Sequence, residues 1–233
     1  MWQVTGAVSQ WVADNWTAEV QLEHPEQGIR IAPASNPSMQ LMRVELCDGA
    51  APLFGPRVVD HYVRQNDLVI NYEYAQPQMR MQLYWRHEVW RDADGGILAG
   101  MRLLLSLQTN RLNSCPLVTV ATEVTSQAVD VFDQSMHQTE LDKIEHRPPM
   151  CVFHDAEQSL AVMVHPTDIV GVEIGQTSAT SWRGAYDSVG EHLEKGVIRR
   201  VQLGACVFPA GIEPEMAVSV FQQFVNAPLP LTV

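Results

Sequence analysis

Two long runs of alternating side chains, residues 79–91 and 97–109, flank a short stretch rich in aspartate and glycine. A repeat of two residues is the geometry of a β-strand, because successive side chains point to opposite sides of the sheet. In both runs one face is mostly apolar, and in the first run the other face carries charged and aromatic side chains. The pattern therefore predicts a long β-hairpin with one core face and one polar face.

The pairing of this hairpin follows from its apolar faces. Opposed residues of an antiparallel pair lie on the same face, so the two apolar faces coincide only if the connecting loop has an odd number of residues. The loop 93–95, read as a type I turn followed by a left-handed glycine, meets this condition. Trp85 then lies opposite Leu103, and we expect Leu83, Trp85, Leu103 and Leu105 to lie in the main core.

Strand-like alternation recurs along most of the chain, with prolines and glycines between the runs. Helical spacing is found near the C-terminus, where 213–226 has Pro214 near its first position and an apolar face at i, i+3, i+4, i+7 spacing. The segment 134–145 is ambiguous between helix and loop. Besides short runs near the N-terminus and the central hairpin, the predicted strands are 38–46, 57–65, 67–74, 116–126, 150–154, 159–165, 168–174 and 196–208.

These elements predict an all-β fold, a large antiparallel β-sandwich with one helix near the C-terminus. No repeat, linker or change in composition divides the chain, so we expect a single domain over residues 1–233. At the level of architecture alone, long strands with one late helix also fit a galactose-mutarotase-like supersandwich. The catalytic histidine and glutamate motifs of that family do not match positions in this sequence, so the analogy carries no function.

Net charge and apolar patterning limit the partners. The formal charge of −12 argues against a surface for nucleic acid or anionic membranes, since both require clustered cations. The sequence has neither the basic and apolar start of a signal peptide nor an apolar run long enough to span a bilayer, so we expect a cytoplasmic protein without membrane or nucleic-acid partners. The oligomeric state is left open.

Cysteines and histidines give no sign of a metal or cofactor. The four cysteines are widely spaced without a C-x-x-C pair, and we expect reduced, buried thiols, although an even number also permits two disulfides. None of the eight histidines has close ligand spacing. His87 falls on the apolar face of its strand and is expected to be a core histidine. Nucleotide-binding and serine-hydrolase motifs are absent, so we expect no cofactor.

The polar face of the central hairpin is the candidate site. The predicted register places Arg86 opposite Arg102, a like-charge pair that Glu88 is close enough to balance. Aromatic side chains can stack on a sugar ring, while arginine forks and carboxylates bind its hydroxyl groups. The alternative for this face is an ordinary solvated surface. The candidate binding residues are Arg80, Tyr84, Arg86, Glu88, Trp90 and Arg102.

Two classes of function fit this pattern. The first is binding or modification of a carbohydrate, or of another small polar ligand, through the polar face of the central sheet. The second is a non-catalytic structural or protein-interaction module that uses a sheet face or edge. Whether the protein is an enzyme is left open, because pairing of catalytic carboxylates depends on distances that the sequence does not give.

Overall fold

The computed structural model of the protein describes residues 1–13, 16–33, 39–75, 78–92, 95–141 and 147–228. Within these ranges it contains eighteen β-strands, one α-helix, and short 3-10 turns at Pro25–Gln27 and Pro166–Asp168. The elements are β1 (Trp2–Thr5), β2 (Val8–Ala13), β3 (Trp16–Gln21), β4 (Ile29–Pro33), β5 (Met39–Asp48), β6 (Ala51–Leu53), β7 (Arg57–Arg64), β8 (Asp67–Tyr74), β9 (Met79–Arg91), β10 (Ile97–Thr109), β11 (Pro116–Thr125), β12 (Ala128–Phe132), β13 (Gln138–Thr139), β14 (Met150–His154), β15 (Gln158–Val164), β16 (Gly171–Ser178), β17 (Ser181–Ser188), β18 (Ile198–Pro209) and α1 (Pro214–Asn226).

The strands form two antiparallel sheets, which confirms the predicted all-β sandwich with one helix near the C-terminus. The first sheet has the order β1-β2-β3-β4-β5-β11-β17-β16, with β6 paired to β5. The second sheet has the order β13-β12-β14-β15-β18-β10-β9-β8-β7. Their inner faces meet in one large apolar cluster, and the removal of this apolar surface from water is the main stabilising contribution.

The central hairpin has the predicted register. Trp85 pairs with Leu103 and the two strands pair from Arg91–Ile97 to Met79–Thr109. Gly95 has a φ of 81°, which suits a left-handed glycine; Ala93 and Asp94, the other residues of the predicted loop, lie outside the described residues. The four residues predicted for the core are all buried in the main cluster, namely Leu83, Trp85, Leu103 and Leu105.

The helix α1 packs on the outer face of the second sheet, not in the space between the sheets. Its buried residues are the predicted face, Ala217, Val220, Phe221 and Phe224. They join a second apolar cluster with outer-face residues of the sheet, including Trp90, Leu98 and Phe208. The second sheet is therefore covered on both sides over part of its area, and this decides which of its polar residues reach solvent.

Some predictions near the edges of the sheets differ from the structure. The predicted strand 168–174 begins at Gly171, because Pro166–Asp168 forms a 3-10 turn, and the sequence patterns missed β12 and β17. In the ambiguous segment the structure has the short strand β13, and residues 142–146 lie outside the described ranges. All four cysteines are free, but only two are buried as predicted: Cys47 is half-buried and Cys115 is exposed.

Candidate functional site

Side chains on the outer face of the second sheet lie in rows that run across the strands, because each residue lies beside its paired residue on the neighbouring strand. The registers that join β7, β8, β9, β10 and β18 define two polar rows at one end of this face. We call these ten residues, of which all but Ile198 are polar, the polar end: Arg57, Glu73, Arg80, Gln108 and Ile198 in one row, and Asp60, Asn71, Gln82, Ser106 and Arg200 in the other.

The polar end is open to solvent. All its residues line a cleft of about 570 Å³, which we call the open cleft, and no residue of α1 lines it. The pairing of β7 with β8 shifts between Val58 and Asp60, and Val59, the extra residue of this β-bulge, also lines the cleft. A bulge bends its strand and increases the local twist, so the edge strand β7 curves beside the cleft.

Polar side chains of the open cleft are arranged by a few specific contacts. Glu73 accepts a hydrogen bond of 2.6 Å from Arg57 and lies 3.7 Å from the Arg80 guanidinium. The Gln82 amide donates to the Asn71 side-chain oxygen over 2.9 Å. One carboxylate therefore serves two arginines, which leaves donors for a ligand that carries hydroxyl or anionic oxygens.

The next part of this face is a closed ionic network around Asp67. This carboxylate is almost fully buried and accepts two hydrogen bonds from Arg86, of 2.7 and 2.8 Å, as well as one from the Tyr84 hydroxyl. Burial, with the bond to Asp67, raises the pKa of Tyr84 to about 12. Because these groups bind one another, Tyr84 and Arg86 have little capacity left for a ligand.

Arg102 and Glu88 form an ion pair beside α1. The Arg102 side chain is 1% exposed, with Nε 3.0 Å from a Glu88 carboxylate oxygen. The guanidinium also donates to the Phe224 carbonyl oxygen over 3.4 Å and lies 5.1 Å from the Phe224 ring centroid, a cation–π distance. Burial lowers the pKa of Arg102 and raises that of Glu88, while their mutual attraction acts against both shifts. Arg102 therefore joins the end of the helix to the sheet, and Glu88 balances its charge.

Trp90 lies beneath the helix in the second apolar cluster and is 3% exposed. A glycine on the neighbouring strand makes room for its ring, since a Cβ at Gly100 would overlap both the Trp90 ring and the Ala205 carbonyl oxygen. Trp90 is therefore a packing residue that holds α1 on the sheet, and a ligand has no access to its ring in this conformation.

Of the six candidate residues, the structure places only Arg80 in the open cleft. Arg80 and Trp90 are ten residues apart on β9, which corresponds to about 33 Å at ~3.3 Å per residue. Tyr84, Arg86, Glu88 and Arg102 lie between them in the two networks described above. They share one face as the alternation predicts, but they do not form a single small-molecule site, and their role in binding stays a prediction.

The cleft contains polar residues that the sequence patterns did not single out. Arg57, Asn71 and Arg200 belong to β7, β8 and β18, and only the sheet register brings them beside Arg80. Gln108 lies opposite Arg80 in the central hairpin and also lines the cleft. The alternation within each strand places each residue on one face, but it does not bring the residues of different strands together until the strand order is known.

His87 lies at one end of the sandwich between two tryptophan rings. Its imidazole stacks on Trp11 at 4.9 Å and on Trp16 at 5.2 Å between ring centroids. Burial, with a smaller contribution from the N-terminal amino group, lowers the pKa of His87. No set of three or more possible metal ligands is found among the described residues.

Asp130, His154 and Ser159 have the connectivity of a hydrolase triad. The imidazole lies 2.9 Å from an Asp130 carboxylate oxygen and 3.0 Å from the Ser159 hydroxyl. Ser159, however, has no exposed surface, so a substrate carbonyl has no path to its oxygen. The contacts instead tie β12, β14 and β15 together.

Comparisons with known proteins support the fold without giving a family. No protein-family model and no curated protein matches the chain. Heparan sulfate lyase HepC from Pedobacter heparinus is structurally similar over 85% of this chain and 34% of the lyase, with a TM-score of 0.53 and 7% sequence identity. A β-arabinopyranosidase is similar over 87% of this chain and 40% of its own, with a TM-score of 0.43 and 10% identity. The protein HI1317 is similar over 86% of this chain and 91% of its own, with a TM-score of 0.43 and 12% identity.

The likeness to the lyase concerns the sandwich fold, and this chain spans about a third of the lyase's length. Within the ranges that the structure describes, no helix is both long and apolar enough to cross a membrane.

Proposed function

We propose that this protein binds a carbohydrate in the open cleft at the polar end of the second sheet. The observation that carries the proposal is the lining of the cleft. Arginine guanidinium groups and side-chain amides surround one concave space of about 570 Å³. Amides donate and accept, and arginines donate in pairs, which together match the mixed donors and acceptors of sugar hydroxyl groups. Concave sites with convergent polar groups are where proteins bind small ligands.

An aromatic side chain beside the cleft adds a surface for the apolar side of a sugar ring. Tyr62 lies two residues after Asp60 on β7, and its register with Val69 continues the rows of the outer face. Its side chain is 44% exposed, whereas Tyr84 and Trp90 on β9 are buried. Tyr62 therefore takes the stacking role that the sequence analysis predicts for Tyr84 and Trp90.

The fold comparison is compatible with this proposal but does not carry it. The lyase with the similar sandwich is named for heparan sulfate, so a sandwich of this shape can form part of a protein that acts on carbohydrate. At 7% identity that likeness transfers the fold alone, and the ligand of this chain is inferred from its own cleft.

A glycan array that includes neutral and acidic oligosaccharides tests the proposal. We expect binding by the wild type, and loss of most of that binding in Arg80→Ala and Gln108→Ala, whose side chains border the cleft. Arg30→Ala is the matched control, because Arg30 is exposed on β4 of the opposite sheet and should leave binding unchanged. Absence of binding to every glycan, or equal binding by all variants, would overturn the proposal.

A protein-interaction module is the second candidate, and the edge strand β7 favours it. In the described chain β7 pairs only with β8, so its other edge presents free backbone donors and acceptors. Val59 and Tyr62 expose about half of their surface on this strand. Light scattering of the wild type and of Tyr62→Lys checks this: a concentration-dependent dimer that Tyr62→Lys dissociates would support it, and a monomer in both would count against self-association.

A further inference from the structure

A second polar pocket adjoins the open cleft. It has a volume of about 220 Å³ and is formed by β18 with the segments 167–170 and 189–193. Three arginines line it, Arg147, Arg199 and Arg200, and Arg200 also lines the open cleft. The two pockets therefore meet at one arginine of β18.

The lining of the two pockets is slightly basic, although the protein as a whole is strongly acidic. Five arginines and four carboxylate residues line them, whereas the whole chain has 15 lysines and arginines against 27 aspartates and glutamates. A local excess of cations in a concave surface attracts anions even when the net charge is −12.

Most of these arginines are not neutralised by the protein. Arg147 donates to the Ile169 carbonyl oxygen over 2.8 Å, and neither Arg199 nor Arg200 forms an ion pair or side-chain hydrogen bond within the described ranges. The nearby Asp168 carboxylate is instead satisfied by the Gln202 backbone N–H at 2.9 Å and the Thr167 hydroxyl at 3.0 Å. The acidic side chain is held by neutral donors, and the arginines remain available.

The wall of the second pocket is built tightly. Val189 has a φ of 59°, which is uncommon for a β-branched residue, and a Cβ at Gly190 would come within 2.7 Å of the Val170 side chain. Such a backbone conformation is unfavourable by itself and persists where the surrounding packing fixes it. The segment that faces Arg199 is therefore held in place by its packing.

The arginines form an extended track, not a compact cluster. From β7 to β18 the outer face crosses four strand spacings of about 4.8 Å, which gives about 19 Å. Arg200 pairs with Ser106 on the outer face, whereas Arg199 pairs with the core residue Leu107 and lies on the inner side of the sheet, so the path to the second pocket passes around the start of β18. One sugar ring is shorter than this track, whereas a chain of several sugars can occupy it. The regular placement of arginines along such a path suits a ligand with repeated anionic groups.

We infer that the ligand is an extended acidic oligosaccharide, which lies across both pockets and pairs its carboxylate or sulfate groups with Arg80, Arg200 and Arg199. This inference rests on the proposed carbohydrate function and adds the class of glycan and a second subsite. Arginine forks form paired, charge-assisted hydrogen bonds with such oxyanions, which neutral sugars do not provide. A nucleic acid is disfavoured, because successive bases stack on successive aromatic side chains, and Tyr62 offers one ring beside the cleft.

Calorimetric titration with three hexasaccharides tests the inference. The probes are an oligogalacturonate, which carries carboxylates, a heparin fragment, which carries sulfates, and a neutral cello-oligosaccharide of the same length. We expect at least one acidic probe to bind at least about tenfold more tightly than the neutral probe, because the neutral probe cannot form charge-assisted hydrogen bonds with the arginines. Which acidic probe binds more tightly distinguishes carboxylate from sulfate recognition.

The variants locate the second subsite. Arg200→Ala should weaken binding of the acidic hexasaccharide about tenfold. Arg199→Ala should weaken binding of the hexasaccharide but leave binding of the corresponding disaccharide unchanged. Arg30→Ala on the opposite sheet is the control, and all three arginines are exposed, so the variants should fold.

Equal affinity for the neutral and acidic probes, or an unchanged hexasaccharide affinity in Arg199→Ala, would overturn the inference while leaving carbohydrate binding in place. Absence of binding to all three probes would overturn the proposed function as well.

Discussion

The ion pair between Arg102 and Glu88 allows a prediction about how α1 is held on the sheet. The two partners differ in exposure, because Arg102 is 1% exposed and Glu88 is 22% exposed. Removal of either partner leaves the other charge without its counter-ion, and the penalty depends on how well water can reach the remaining group. The two single variants should therefore differ in stability, although they break the same contact.

We expect Glu88→Leu to be the more destabilising change. It leaves the Arg102 guanidinium in a buried position, where its remaining partners among the described residues are the Gln202 oxygen and the Phe224 carbonyl and ring. Removing one partner of a buried pair typically costs about 3–5 kcal/mol. Arg102→Met leaves a carboxylate that can turn toward water, so its cost should be about 1–3 kcal/mol. The double variant replaces the pair with apolar side chains and should cost less than the sum of both.

Urea unfolding of the four proteins, followed by circular dichroism, measures these differences. The exposed pair of Arg57 and Glu73 provides the control, since Glu73→Gln should change the free energy of unfolding by about 1 kcal/mol or less. If Glu88→Leu were as stable as the wild type, or if the two single changes added without coupling, the reasoning would be refuted.

Three further predictions concern the core, the seat of the helix and the response to pH. Leu103→Ala should lower the free energy of unfolding by about 2–5 kcal/mol, because Leu103 is fully buried, whereas Leu112→Ala at an exposed site should have little effect in the same denaturant series. Gly100→Ala should cost about 1–3 kcal/mol by displacing the Trp90 ring; an unchanged tryptophan emission spectrum and melting temperature would contradict the overlap. Burial raises the pKa of the Asp168 carboxyl, so the folded protein binds the carboxyl proton more tightly than the unfolded chain does. This proton binding stabilises the folded protein at low pH, and the stabilisation is lost as pH rises through the folded pKa. The stability of the wild type relative to Asp168→Asn should therefore decrease from about pH 3 to about pH 7 in a series of unfolding curves, and an increase would show the opposite shift.

The central hairpin was predictable because several local signals agree. Alternation fixes the two faces, and the match between apolar faces fixes the register to the residue, as the pairing of Trp85 with Leu103 confirms. The helix was predictable for a similar reason, since Pro214 and the spacing of Ala217, Val220 and Phe224 give one consistent pattern. β17 was missed because its sequence combines small and polar residues, and its burial comes from its place between β11 and β16.

The candidate site was harder to predict than the fold, because exposure of the outer face depends on where α1 packs. The alternation that places Arg102 and Trp90 on the same face as Arg80 does not say that the helix covers the first two. The residues that accompany Arg80 come from strands far apart in sequence, such as Arg200 on β18. Long-range strand order, which local patterns do not contain, determines the site.

Arginine side-chain NMR tests the central claim most directly, because the Nε–H groups of the 13 arginines report separately on each part of the protein. We expect titration with an acidic oligosaccharide to shift the signals of Arg80 and Arg200 in the open cleft. The signals of Arg86 and Arg102, which are bound within the protein, should remain in place. Shifts confined to arginines outside the cleft, or to Arg86 and Arg102, would contradict the claim that the open cleft is the binding site.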